Sequence, residues 1–449
     1  MNNKNTIDMV NGPLLKNIII FAIPLMLTNF LQMLFNAADT IVVGKFAGEI
    51  ALAAVGATGS LVFTFTALFN GLSIGANVLV AKLIGSQNYK KVEKAVHTSI
   101  TIGIIGGIFL ALVGILFAKD LLAMMSTPSD IINLSKLYVQ IYFSGSIFLL
   151  VYNFGAAILR SKGDTKRPMY YLMISGIINV ALNVFFVVVL QISVAGVAIA
   201  TVISQFVSAL LVCYALINEE DYTRLDLKKL CLDKEIVFEI FRIGIPAGIQ
   251  GLVFSISNVV IQSSINSFDS STIVAGNSAA GNIENFVYIG MMAFTQATMT
   301  FTSQNIGANN KKAIRKIYNT TMLLTIVVSL ALSGIVWLLG EQLLSLYTNE
   351  ALVIEVGKIR LTYIVLPIVF NGTLDVIVAS MRGMGFSTPP TLLMIIGICG
   401  IRLLWLWVAF PMKPCLEMIY VCFPISWIIS TLIEYILWVN CHKKVMAEI

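Results

Sequence analysis

Apolar residues run along this chain in blocks too long for the helices of an ordinary soluble protein. The first, LLKNIIIFAIPLMLTNFLQMLF, starts at Leu14 and is broken only by single polar positions. Runs of about eighteen or more apolar residues read as membrane-spanning helices. Polar breaks divide the chain into about twelve spans. The expected limits are 14–43, 52–80, 96–118, 133–159, 168–190, 194–217, 237–265, 273–302, 317–339, 353–380, 390–410 and 415–440.

Composition supports that pattern. Apolar residues make up 58% of the 449 and charged residues 12%, whereas soluble domains carry about 25% charge. An all-α polytopic membrane protein is expected. The opening MNNKNTIDMVNGP lacks the basic region and small-residue cleavage site of a signal peptide, so the first span is expected to be retained.

Charge orients the spans. Of the 29 Lys and Arg, 22 fall in the two terminal segments and in alternate connections, such as Lys82–Lys94, Arg160–Arg167, the segment 218–235 and Lys311–Lys316. Lys45, Lys119, Lys136, Lys358, Arg360 and Lys413 fall on the other side, and Arg402 lies within a span. Basic loops mark the cytoplasmic face, so both termini are expected inside, in a cell membrane. The net charge of +6 is then a matter of topology and lipid contact, and no nucleic-acid partner is expected.

The chain also repeats itself at a shift of 222. Pro24 answers to Pro246 and Asn36 to Asn258. IGSQNYKK (84–91) matches IGANNKKA (306–313), and ILRSKGDTKRP (158–168) matches SMRGMGFSTPP (380–390). Two six-span bundles in the same orientation follow, 1–217 and 237–449, joined by a charged linker at 218–236. Gly71/Gly75, Gly103/Gly107 and Gly244/Gly248 have the spacing of close helix contacts.

Polar residues inside spans are the candidate chemistry. Asn29, Gln32, Asn36 and Asp39 are spaced by three, four and three, which places them on one helix face. A carboxylate in a spanning helix costs about 2.5–3.5 kcal/mol on insertion scales, so Asp39 is expected to face protein or water. Asn179 and Asn183 are four apart on the fifth span, and Asn153 lies on the fourth. Hydrogen-bonded packing between helices is the alternative role for these amides.

The repeat sets Asp39 against Ile261 and Asp375 against Asn153, so the acids break the symmetry. Asp375 stands seven residues before Arg382 and is a candidate partner for it. Glu284 lies about a dozen residues into the eighth span, followed by Met291, Met292 and Met299. Those thioethers suit either a surface that accepts varied apolar shapes or plain packing.

Other chemistries lack their motifs. No G-x-x-x-x-G-K-[ST] loop is present for nucleotide, and His97 and His442 form no H-E-x-x-H site. The six cysteines form no C-x-x-C pair. An intramembrane enzyme would need a nucleophile–base pair or metal ligands at depth, and a channel would need a symmetric filter.

At NAADTIVVG (36–44), KLIGSQNYKKV (82–92), ILRSKGDTKRP (158–168) and SQNIGANNKKA (303–313) the sequence resembles the multidrug and toxic compound extrusion transporters. The resemblance covers nearly the whole chain. It implies export of organic cations or amphipathic compounds in exchange for a proton or sodium ion, with no other cofactor. It matches Asp39 to the first-helix aspartate to which coupling is often attributed, with sodium as one possible occupant. Asn179 matches a fifth-helix asparagine, but Asn183 stands where many members carry a second aspartate. Glu284 matches an eighth-helix glutamate. The seventh-helix glutamate of another branch has no counterpart near Phe254.

The resulting expectation is a monomeric cation-coupled antiporter. Asp39, Asn36, Asn179 and Asn183 would form its ion site, with Gln32, Asn153, Glu284, Met291, Met292 and Asp375 as substrate-cavity candidates. A lipid-linked sugar flippase of the same superfamily is the alternative, and it would want a basic cavity.

Overall fold

The computed structural model describes residues 6–125 and 127–447. Lys4 and the two chain ends, on which the expected placement of the termini bears, lie outside the described residues. Seven α-helices make the first half: α1 (Leu14–Val42), α2 (Glu49–Gly85), α3 (Tyr89–Met124), α4 (Ile132–Ser144), α5 (Ser146–Ser161), α6 (Lys166–Val184) and α7 (Ser193–Ile217). The second half contains α8 (Lys234–Asn266), α9 (Ser271–Gly307), α10 (Lys311–Leu338), α11 (Gly340–Ser345), α12 (Ala351–Ile364), α13 (Ile368–Gly383), α14 (Thr388–Met394), α15 (Ile401–Val408) and α16 (Leu416–Ala447). No strand occurs among the described residues.

Among the described residues nine helical segments are long and apolar enough to cross a membrane, or eleven when two bent pairs are each counted as one span. The expected eighth span forms the 37-residue α9, but its Gly, Ser, Thr and Asn content keeps it out of that set. The fourth and tenth spans, expected to be continuous, are bent. The α4–α5 pair turns by 46° and the α12–α13 pair by 45°. Pro367, at the second break, has no N–H for a helical bond. At the first, a Cβ on Gly145 would lie 2.7 Å from Val202, so only glycine fits there.

The repeat seen in the sequence is also present in the backbone. Gln87 (φ 55°) and Asn309 (φ 56°) both take left-handed conformations, as do Gly163 (φ 94°) and Gly385 (φ 92°). The Gly163 N–H donates to the Arg160 carbonyl at 3.0 Å, and the Gly385 N–H to that of Arg382 at 2.9 Å.

Contacts group the chain into two compact units. Ile23–Gly248 belongs to the first, and Met9–Ala22 belongs to the second with the chain from Ile249 onward. The changeovers fall inside α1 and α8, beside the equivalent prolines Pro24 and Pro246.

The first unit packs around Phe143, Leu150, Phe154 and Leu110. In it the glycine pairs mesh: a Cβ on Gly71 would lie 2.3 Å from the Gly248 nitrogen, and one on Gly75 2.3 Å from the Ile240 carbonyl. Such contacts let backbones approach where a side chain would hold them apart.

The linker is fastened to two basic loops of the same unit. Lys162 pairs with Glu219 at 2.7 Å and Asp221 at 2.6 Å, and Arg167 with Glu219 at 2.5 Å. Lys94 pairs with Asp233 at 2.9 Å and Lys229 with Glu93 at 2.8 Å. His97 accepts from the Asp226 N–H at 3.0 Å. The second unit has its own core around Phe423, Trp427, Met291, Met381 and Tyr420.

Candidate functional site

In the first unit the site begins with the seating of α1 against α6. Gly176 makes it possible: a Cβ there would lie 1.8 Å from the Phe35 ring. One turn beyond Phe35, Asp39 meets Asn183. The Asn183 amide donates to Asp39 Oδ1 and, at 3.3 Å, to Asn179 Oδ1. Asn179 donates in turn to Thr201 Oγ1 of α7 at 3.5 Å.

Asn179 and Asn183 are buried, whereas Asp39 is half-buried. The Asn183 Oδ1 has no hydrogen-bond partner among the described residues. Tyr138 and Tyr142 of α4 lie within Coulombic reach of Asp39. This assembly therefore offers one carboxylate and one amide oxygen, oxygen groups that suit a proton or a hard cation.

Three of the four residues expected at the ion site thus meet. Asn36 and Gln32 lie on the exposed face of α1, and the Asn36 carbonyl accepts from Thr40 at 3.0 Å. Asn153 bonds elsewhere, donating to Asn70 Oδ1 of α2 at 3.0 Å. Thr201, Tyr138 and Tyr142 escaped the sequence reading, because an isolated Thr or Tyr in an apolar run carries no spacing signal.

The second unit is arranged differently. Glu284 is not a free carboxylate: its Oε2 accepts from Arg360 Nη2 at 2.8 Å and Nε at 3.1 Å. Arg360 also donates to Asn277 Oδ1 at 2.5 Å, which Tyr420 bonds at 3.1 Å. Arg360 belonged to the outer-loop set in the sequence reading. It lies instead on α12, nine residues in, about 14 Å along the helix, and is mostly buried with Glu284.

Arg402 is buried as well, over the Phe423 ring at 4.2 Å, with Nε donating to Ser426 at 3.1 Å. Among the described residues no carboxylate pairs with Arg402, whereas Glu284 is paired with Arg360.

The expected Asp375–Arg382 pair is not made. Among the described residues no ion pair joins them; Arg382 donates to Gln250 and to Thr391 at 3.2 Å, and Asp375 meets the Tyr288 hydroxyl. Seven residues leave both side chains on one face of α13 but about 10.5 Å apart along it, and each bonds a nearer neighbour. Met291 is fully buried, its sulfur against Gly372 of α13, so it fills core. Met292 is exposed.

With this geometry in place, comparison with known proteins defines the class. The MatE family model matches residues 24–185 and 246–408, one match in each half of the repeat. The chain belongs to the MatE family, the multidrug and toxic compound extrusion transporters. It is 27% identical over 390 residues to a probable multidrug resistance protein, YoeA, of Bacillus subtilis strain 168, covering 85% of this chain and 84% of that one. It is 26% identical over 394 residues to the probable multidrug resistance protein NorM of Thermotoga maritima, covering 86% and 84%.

Among solved structures, a MOP superfamily transporter from Pyrococcus furiosus superposes with a TM-score of 0.92 at 21% identity, covering 99% of both chains. A multidrug resistance MATE transporter in an outward-facing conformation gives 0.90 at 22%, covering 100% of this chain and 99% of that one. These structural likenesses establish the fold.

Proposed function

We propose that the protein exports organic cations or amphipathic compounds from the cell by alternating access, driven by inward movement of a proton or sodium ion. The observation that carries this reading is the Asp39–Asn183–Asn179 chain, a carboxylate within the first span beside an amide oxygen with no partner among the described residues. The multidrug resistance names of the relatives support the substrate class. The basic loops support an orientation in the cell membrane with the linker on the cytoplasmic side.

Asp39 acts as the coupling group. Charged, it attracts the ion or the substrate cation. Once neutralised, it releases the substrate and favours the other arrangement of the bundles. Only a difference in affinity between the two arrangements moves that equilibrium. Asn183 and Asn179 hold the carboxylate in place and supply amide oxygens to a bound cation.

A second reading, flipping of a lipid-linked sugar, is favoured by one observation: Arg402 is a buried guanidinium with no carboxylate partner among the described residues.

The test is purified protein in liposomes, with proton and sodium gradients imposed separately. Wild type is expected to move a cationic dye under one gradient, and Asp39→Asn to fail despite normal folding. Dye export by Asp39→Asn at the wild-type rate would remove Asp39 from the mechanism. Gradient-independent movement of an anionic lipid, lost in Arg402→Met, would favour the second reading.

A further inference from the structure

Glu434 is the most completely buried acid in the second unit and is not used by the site above. It lies on α16 with no solvent exposure, and neither carboxyl oxygen has a hydrogen-bond partner among the described residues. Lys443 and Lys444 follow nine and ten residues later, about 14 Å along the helix, so the carboxyl sits at membrane depth.

The surroundings are well defined. One turn on, Trp438 Nε1 donates to Ser380 Oγ at 2.9 Å and fastens α16 to α13. From α13, Arg382 is within Coulombic reach of Glu434 and also of Asp375, and Tyr288 of α9 bonds Asp375. Arg382 is itself held away from Glu434: its Nη2 is committed to Gln250 and Thr391, and its Nε has no partner among the described residues.

The remaining titratable neighbours include Tyr435 and His442 of α16, which stack on Trp438 at 6.0 and 5.1 Å. Cys441, on α16 itself, lies within reach, and Tyr318 of α10 stacks on Trp438 at 4.1 Å. Arg360 of α12 and Arg402 of α15 are engaged with Glu284 and with Ser426 and Phe423. Helix α14 and the π-helical turn Ile395–Gly400 contribute no charged side chain.

An ionised carboxylate with no donor and no ion pair is too costly to bury, and the group takes up a proton instead. We propose that Glu434 is a second proton-binding site, carrying a proton in this arrangement and giving it up when the Arg382 guanidinium turns from Gln250 and Thr391 to pair with it. Arg382 Nε is the free donor for that pair. The protonation stands on the geometry of this one unit. The coupling role rests on the antiport reading, and the two are measured separately.

The first measurement is infrared spectroscopy of purified protein at neutral pH, with no substrate. The wild-type minus Glu434→Gln difference spectrum is expected to contain the carbonyl stretch of a protonated carboxyl, unaffected by Asp39→Asn. A carboxylate band in its place would overturn the proposal. Thermal unfolding gives an independent check. Glutamine mimics the neutral acid, so Glu434→Gln should melt at or above wild type at neutral pH; a marked fall would mean an ionised, paired glutamate.

The second measurement is export in liposomes. Glu434→Gln is expected to bind dye normally and to export at least tenfold more slowly. Wild-type export by this variant would overturn the coupling role while leaving the Asp39 reading intact.

Discussion

The Asn183 amide donates to the Asp39 carboxylate, so the neighbour of this acid across the α1–α6 contact is a donor rather than a second acid. Two carboxylates in such contact would share one proton and repel when both are charged. An amide instead adds no charge of its own and fixes the direction of the carboxylate. The first unit therefore carries a single exchangeable charge at this point.

Removing that donor should weaken coupling without unfolding the protein. A hydrogen bond to a charged group is worth about 1.5–3 kcal/mol. Asn183→Ala is expected to slow export by about tenfold or more, since 1.36 kcal/mol is a factor of ten. Dye efflux from cells with matched membrane expression measures it, and unchanged efflux would count against the hydrogen bond.

The Gly176–Phe35 contact should be as important as the polar residues. Gly176→Leu forces the Phe35 ring aside, and overpacking of this kind costs about 1–3 kcal/mol. It should also separate Asp39 from Asn183. The expected result is a lower melting temperature and lost export, with part of the melting temperature recovered in Gly176→Leu/Phe35→Ala.

Glu284 and Arg360 should behave as a unit. Breaking a buried ion pair from one side leaves an uncompensated charge and costs about 3–5 kcal/mol, whereas replacing both partners with apolar residues is often neutral. Arg360→Met alone should melt well below wild type, and Arg360→Met/Glu284→Met close to it. Additive losses in the double variant would argue against coupling.

The linker should respond to acid. Burial opposes charge on Asp221, but the hydrogen bonds from Lys162 and Thr223 prevail and hold its carboxyl below the usual aspartate value. Its folded value is thus lower than its unfolded one. The stabilisation is complete above the unfolded value, about 3.9, and is lost as pH falls through the folded one. Hydrogen exchange over 218–235 should stay slow at pH 5 and quicken only below the ordinary carboxylate range. In Lys162→Met, which leaves Asp221 without its cation and Glu219 with Arg167 alone, it should already be faster at pH 7.

Much of this architecture was legible in the sequence, because lipid imposes long apolar runs and a repeat preserves spacing. The 222-residue shift reappears as left-handed backbone at Gln87 and Asn309 and as breaks near Gly145 and Pro367. The Asp39–Asn183–Asn179 group was legible because helical spacing puts Asn179 and Asn183 on one face. The Glu284–Arg360 pair was not: its members lie 76 residues apart, and a charge near a span end reads equally well as loop. Glu434 left only the signal of one acid in the apolar STLIEYIL, and its isolation depends on which way Arg382 turns.

The polarity of α9 bears on how the chain is made. This segment leaves the ribosome before α10, α12 and α13, the helices that it packs against. A translocon sorting each stretch on its own affinity for lipid has little reason to release α9 when it arrives. Its integration must wait for later segments to shelter its amides and hydroxyls, so biosynthesis of the second half is a joint event rather than a helix-by-helix one.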